Sequence, residues 1–143
     1  MKYVAGFYFS RDSVTNALGE PSVALICKNK PAWQKGRYNA IGGKIEPLES
    51  PLQAMIREFR EETSVCEQNW EPFCNITCNG DTVFFFKAWG DPRECKTVED
   101  ERVELITISD ILLSRIDTIS NLRWLIPLAL DSKLLPCVIK YKE

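Results

Sequence analysis

Apolar stretches separated by polar, proline- or glycine-containing segments divide the chain into a short series of elements. Residues 3–9, 22–28, 38–45, 71–78, 82–89 and 102–108 read as strands, rich in Val, Ile, Phe and Tyr. Asn79-Gly80-Asp81, between two of these runs, predicts a hairpin turn. Residues 11–21 read as a loop, and 30–35 as a polar loop carrying Trp33. Ser109 and Asp110 begin a short helix, Asn121 caps a longer one ending at Leu130, and 137–141 forms a last strand. This order of helices and strands alone is compatible with several α+β folds.

The clearest helical period lies at 51–63. Ser50 is a good N-cap, Pro51 suits the first helical position, and Gln53 stands where a capping box needs it. Leu52, Met55, Ile56 and Phe59 follow at i, i+3, i+4 and i+7, an apolar stripe suited to packing on a sheet. Glu58, Glu61 and Glu62 share an adjoining face. Three carboxylates so close repel one another, and water alone does not reward the arrangement. A divalent cation does, because hard oxygen ligands are what Mg²⁺ or Mn²⁺ prefers. A solvated acidic face is the ordinary reading of a Glu-Glu pair. Here Gly42-Gly43, Glu49 and Arg57 precede the pair at spacings that a solvated face does not require.

Residues 43–65, GKIEPLESPLQAMIREFREETSV, resemble the Nudix box, G-x5-E-x7-R-E-U-x-E-E-x-G-U with U a bulky apolar residue. Gly43, Glu49, Arg57, Glu58, Phe59, Glu61, Glu62 and Val65 match it, and Ser64 replaces the final glycine. That position follows the helix end, where a positive φ is commonly required, so a serine there costs about 1 kcal/mol. The resemblance implies an α/β Nudix fold, an α/β/α sandwich with a mixed β-sheet. It also implies a Mg²⁺-dependent hydrolase, with Mn²⁺ able to substitute, acting on a nucleoside diphosphate linked to another group. Glu58, Glu61 and Glu62 would then hold metal, with the Gly43 carbonyl as a further ligand, and Arg57 would position Glu49 through an ion pair. Glu61 is the first candidate for general base, and a downstream acid, Glu99, Asp100 or Glu101, is the alternative. Phosphoryl and nucleotidyl transfer depend mainly on positioning and charge neutralisation, which explains why such a site is built from carboxylates and metal.

Composition narrows the picture without changing it. At 143 residues, 45% apolar and 27% charged, the chain is expected to form one domain over 1–143. A net charge of −2 argues against broad electrostatic binding to long nucleic acid. No signal-peptide pattern opens the sequence, and no apolar run approaches the ~18 residues of a membrane span, so a soluble cytoplasmic protein is expected. The absence of histidine excludes a Ser-His-Asp or Cys-His nucleophile and any His-containing zinc site. Six scattered cysteines are expected to be reduced thiols, since only Cys74 and Cys78 lie close together. Oligomeric state is left open.

Substrate class is read from a second resemblance. Gly36-Arg37-Tyr38-Asn39-Ala40-Ile41-Gly42-Gly43-Lys44 is similar to the GRWNxFGGK stretch of enzymes that cleanse the nucleotide pool of oxidised purines. It implies that Asn39 contacts the base, with Gly42 and Lys44 on the substrate side. An amide suits that task because it both donates and accepts. The 122–130 segment LRWLIPLAL resembles the final helix of the same enzymes. Their base-contacting Trp and paired Asp are replaced here by Ile119, Ser120 and Asn121. The Pro or Tyr that tends to accompany ADP-ribose or dinucleoside polyphosphate hydrolysis is missing between Asn75 and Lys87. The expected substrate is therefore a nucleoside or deoxynucleoside triphosphate, modified or oxidised forms included, cut to monophosphate and pyrophosphate. The alternatives are hydrolysis of another nucleoside diphosphate derivative and a non-catalytic nucleotide-binding module.

Overall fold

Strand β1 (Lys2–Ser10) organises the sheet. The computed structural model of the chain describes residues 1–134 and 136–141. β1 runs parallel to β6 (Asp81–Gly90), from Lys2↔Thr82 to Ser10↔Gly90. Its other edge is divided. β2 (Ser22–Cys27) pairs antiparallel with Tyr8 and Phe9, whereas β4 (Ile41–Lys44) pairs antiparallel with residues 3–6. β3 (Tyr38–Asn39) and β7 (Arg102–Thr107) extend β2. β5 (Glu71–Cys78) pairs with β6, and β8 (Cys137–Tyr141) runs parallel to β5. The sheet is mixed, as the box resemblance implied.

Side chains alternate across β1 and divide the core in two. Val4 and Tyr8 face helix α2 (Pro51–Thr63), where they pack with Met55, Phe59 and Trp70. Phe7 and Phe9 face the opposite layer, built from α3 (Ile108–Leu112) and α4 (Leu122–Leu130) through Ile111, Leu122, Leu125 and Ile126. This is the α/β/α sandwich. Gly6 lets α2 approach closely, because a Cβ there would lie 2.7 Å from the Met55 methyl. Full burial of Phe59 contributes roughly 2–3 kcal/mol to holding that helix. No described helix is long and apolar enough to cross a membrane.

The ends of α2 follow the sequence. The Gln53 amide donates to Ser50 Oγ at 3.1 Å, and the Ser50 amide donates to Gln53 Oε1 at 2.9 Å. Ser64 takes the left-handed conformation, φ 65°, and its N–H donates to the Arg60 carbonyl at 2.9 Å. Asn79 and Gly80, both with positive φ, turn β5 into β6. All six cysteines are free.

Four details differ from expectation. Residues 12–18 form a short helix, α1 (Asp12–Leu18), which buries Val14 and ends on Gly19 at φ 88°. Few of its residues favour helix, so the buried side chain and the glycine stop decide the outcome. The single strand expected over 38–45 is two. Asn39 Oδ1 accepts from the Ala40 amide at 2.8 Å, and the chain passes there from β2 to β1. Leu52 is exposed, and Ala54 takes its place on the buried side of α2. Asn121 precedes α4 but its side chain caps none of the helix amides.

Candidate active site

Arg57 is the hub of the box. Its Nε donates to Glu49 Oε2 at 2.7 Å and its Nη2 to Glu49 Oε1 at 2.9 Å, a bidentate pair. Nη2 also donates to the Lys44 carbonyl at 3.0 Å, which ties the end of β4 to α2. Nη1 donates to Glu58 Oε1 at 2.9 Å and to Glu61 Oε2 at 3.3 Å. One guanidinium thus orients three of the predicted carboxylates. The Arg57 fork holds the Glu49 carboxyl below its usual range, and the Glu49 carboxylate in turn raises the guanidinium.

Glu58 and Glu62 lie on the inner side of the same helix face. Burial pushes the Glu58 carboxyl up, against the pull of Arg57. Glu62 is pushed up to about 7, by burial first and then by the negative charge of Glu99, Glu58 and Glu101. Its Oε2 is buried with no hydrogen-bond partner. Such an atom costs roughly 1–3 kcal/mol unless something pairs with it. Gly43 faces Glu58 so closely that a Cβ would overlap the carboxyl group. Gly42 is equally constrained, because a Cβ there would run into the Val4 carbonyl of β1.

Of the downstream acids, Glu101 is already engaged. It accepts from Lys28 Nζ at 2.9 Å and from the Asn29 amide. Burial works to raise its carboxyl, and those two donors outweigh it, leaving it below the usual range. Glu99 instead acts on Glu62 as an unneutralised neighbour.

The acids fit a divalent cation on three observations. The donors are hard oxygens, an orphaned carboxylate oxygen sits among them, and a side-chain-free glycine leaves room at Glu58. With Arg57 engaging Glu58 and Glu61, no three acidic or cysteine side chains among the described residues converge as a ready cage.

Beside the box lies a cavity of about 620 Å³ lined by Asn39, Gly42, Gly43 and Lys44, the four predicted substrate-side and metal-side positions on β3 and β4. Asn39 Nδ2 donates to Gln34 Oε1 at 3.1 Å, which leaves one N–H and one lone pair of the amide unused. Four further polar lining residues are not marked as site groups by the sequence: Lys28, Gln34, Asn121 and Asp81, the last read only as part of the hairpin turn. Gln34 was findable, since it belongs to the polar loop already noted beside Trp33. Asn121, whose Oδ1 is buried without a partner, reads in the sequence only as a helix cap. Lys28 is brought in where its backbone pairs with Gly36 and Arg37, just beyond the β2–β3 ladder, which no local pattern displays.

A NUDIX domain is matched over residues 13–127. Among solved structures, the NUDIX domain of Shewanella oneidensis NrtR, in complex with ADP ribose, superposes with a TM-score of 0.74 at 19% identity, covering 90% of this chain and 85% of that one. Of the longer NrtR chain in a second solved structure this chain covers 60%. A MutT protein from Bacillus halodurans gives 0.70 at 22% identity, over 99% and 90% of the two chains. A Caenorhabditis elegans Ap4A hydrolase gives 0.65 at 16%, over 89% and 93%. None of the curated proteins matches the chain. At these identities the structural likeness speaks for the fold alone, while the match over 13–127 takes in the Gly43–Val65 box and most of the sandwich around it: the chain belongs to the NUDIX family.

Proposed function

We propose that the protein is a Mg²⁺-dependent pyrophosphohydrolase of nucleoside or deoxynucleoside triphosphates, releasing monophosphate and pyrophosphate. The observation that carries this reading is the buried, unpartnered Glu62 Oε2, beside Glu58 and Glu99 on the acidic face of α2, where Glu58 abuts Gly43 in the lining of the 620 Å³ cavity. Glu58, Glu61 and Glu62, with the Gly43 carbonyl, would hold the metal. When bound, the ion supplies charge neutralisation on the phosphate oxygens and eases ionisation of water.

The chain's own groups do the rest. Arg57 fixes Glu49 and Glu58, so the acidic face does not have to be ordered when substrate arrives. Glu61 has only one oxygen on Arg57 and its side chain is 46% exposed, which leaves Oε1 to take a proton from the attacking water. Among the alternatives for that role Glu99 stands ahead of Glu101, whose carboxylate is spent on Lys28 and Asn29. Asn39 offers its spare donor and acceptor to the base, Lys44 and the Gly42 backbone line the route to the phosphates, and Trp33 stands 62% exposed at the cavity. No long nucleic acid is required, and a cytoplasmic nucleotide pool fits the reading.

A second reading, hydrolysis or binding of another nucleoside diphosphate derivative, is favoured by the likeness to a NUDIX domain that binds ADP ribose. One assay separates the two. The protein is incubated with Mg²⁺ and each nucleoside triphosphate, ADP-ribose and a dinucleoside tetraphosphate, and the products are resolved. Pyrophosphate from a triphosphate supports the first reading, and turnover confined to the other compounds supports the second. Lack of any turnover sinks both hydrolase readings. Glu61→Gln is expected to lower kcat by about 10²-fold or more with unchanged unfolding. Full activity in that variant refutes its role as base.

A further inference from the structure

Alternate residues of the segment before α4 serve two different cavities. Ile119 and Asn121 line the one already described, whereas Thr118 and Ser120 line a second, open cavity of about 490 Å³. Three arginines, Arg37, Arg115 and Arg123, line this second cavity with a single acidic residue, Asp117. In a chain of net charge −2 this is a local reversal of sign.

The three cations are incompletely neutralised. Arg37 reaches Asp117 only at 3.7 Å, and Arg115 reaches Asp110 at 3.4 Å. Arg123 donates to Ser114 Oγ at 2.9 Å, a neutral partner, and has no carboxylate partner among the described residues. Compare the 2.7 Å bidentate clamp of Arg57 on Glu49, where a guanidinium is fully used. Each arginine here keeps N–H donors in the planar fork that matches phosphate oxygens. The positive end of α4 opens beside them, and Asn121 leaves its first-turn amides without a side-chain cap. Ser114, Thr118 and Ser120 add hydroxyl donors to the same wall.

We propose that this cavity binds a small phosphate-bearing anion of diphosphate size. Three like charges gathered around one hollow repel one another, and a multivalent anion is the ligand that turns this repulsion into attraction. A volume of about 490 Å³ exceeds what one phosphate fills, and three guanidiniums carry charge enough for two linked phosphoryl groups. The site is separate from the acidic face of α2 and does not depend on the hydrolase reading. A free diphosphate and the phosphates of a nucleotide share this chemistry.

The test is a titration of the metal-free protein in chelator, followed by amide NMR, with pyrophosphate, orthophosphate, sulfate and a nucleoside triphosphate. Without metal the acidic face has no means of holding a polyanion, so failure of hydrolysis and failure of this site are told apart. Saturable shifts centred on residues 114–123 are expected with pyrophosphate, tighter than with orthophosphate or sulfate. Removing one guanidinium, as Arg115→Gln or Arg123→Gln, is expected to weaken binding about tenfold. Both side chains are exposed, so these variants are expected to fold. Asp117→Asn is expected to tighten binding, an effect that a damaged fold would not produce. Added shifts at Gly42–Lys44 with the triphosphate would identify the nucleotide as the source, and shifts confined to Arg37, its neighbours and 114–123 a free diphosphate. Absence of saturation, equal affinity for sulfate, or unchanged affinity in the arginine variants overturns the proposal.

Discussion

Glu62 offers the sharpest test of the acidic site, because one substitution is expected to stabilise the apo-protein and disable it. Moving a carboxyl from its ordinary 4.5 to about 7 corresponds to about 3 kcal/mol. The side chain keeps some contact with water, so about 2 kcal/mol is the part expected to survive screening. A carboxyl that holds its proton more tightly in the native state favours folding in acid. That contribution is complete below about pH 4.5 and is lost as the pH rises through about 7. Wild-type protein in chelator is therefore expected to lose stability between about pH 5 and pH 8. Glu62→Gln carries no charge at either pH. At the higher pH it is expected to exceed wild type by about 2 kcal/mol, or about 6 °C in Tm for a domain of this size. Part of the slope remains, because burial raises Glu58 as well. Added Mg²⁺ is expected to stabilise wild type increasingly toward high pH, as the carboxylate ionises, and the variant much less. The assay is thermal unfolding at the two pH values, with and without Mg²⁺. Were the stability gap between variant and wild type the same at both, the buried-charge argument would be wrong.

Other substitutions probe the supports around that carboxylate. Gly43→Ala places a methyl against the Glu58 carboxyl, and kcat is expected to fall about tenfold or more while the protein still unfolds cooperatively. Arg57→Lys exchanges a fork for a single ammonium and is expected to cost about 10–100-fold in kcat, because Glu49, Glu58 and Glu61 lose a common anchor. Ser64→Gly relieves a left-handed serine, and part of the gain is offset by a freer unfolded chain. A rise of about 0.5–1 kcal/mol in urea unfolding is expected. Asn39→Ala removes the spare amide donor and acceptor and is expected to raise KM about fivefold or more with kcat little changed, measured by initial rates.

The box helix was legible because its signals are local. The Ser50–Gln53 cap, the Met55 and Phe59 pair, and the position of Ser64 all fall within one stretch of chain, where spacing fixes geometry. The same holds for the Asn79-Gly80 turn. The pairing of Glu49 with Arg57 was also readable, since eight residues of loop and helix suffice to bring them together. Legibility failed where the deciding partner is distant. Lys28 and Glu101 are 73 positions apart, and only the β2–β7 register joins them. Period alone puts Leu52 on the apolar stripe, yet it stands exposed in the first turn of α2 while Met55 and Phe59 are buried. Residues 12–18 hold few helix formers, so their helix depends on burying Val14, which no window of that length reveals. The basic cavity was invisible for the same reason: Arg37 and Arg123 meet only because Tyr38 bridges to Thr118.

The hand-over of the chain at Ala40 separates two duties within six residues. Asn39 is anchored to one neighbouring strand and Gly43 to another. A change that tilts the first need not be transmitted to the second. With the roles proposed for Asn39 and Gly43, selectivity and reactivity can therefore drift independently along GRYNAIGGK, and exchanging residues up to Asn39 is expected to re-specify the guest while the Gly43 end keeps its geometry.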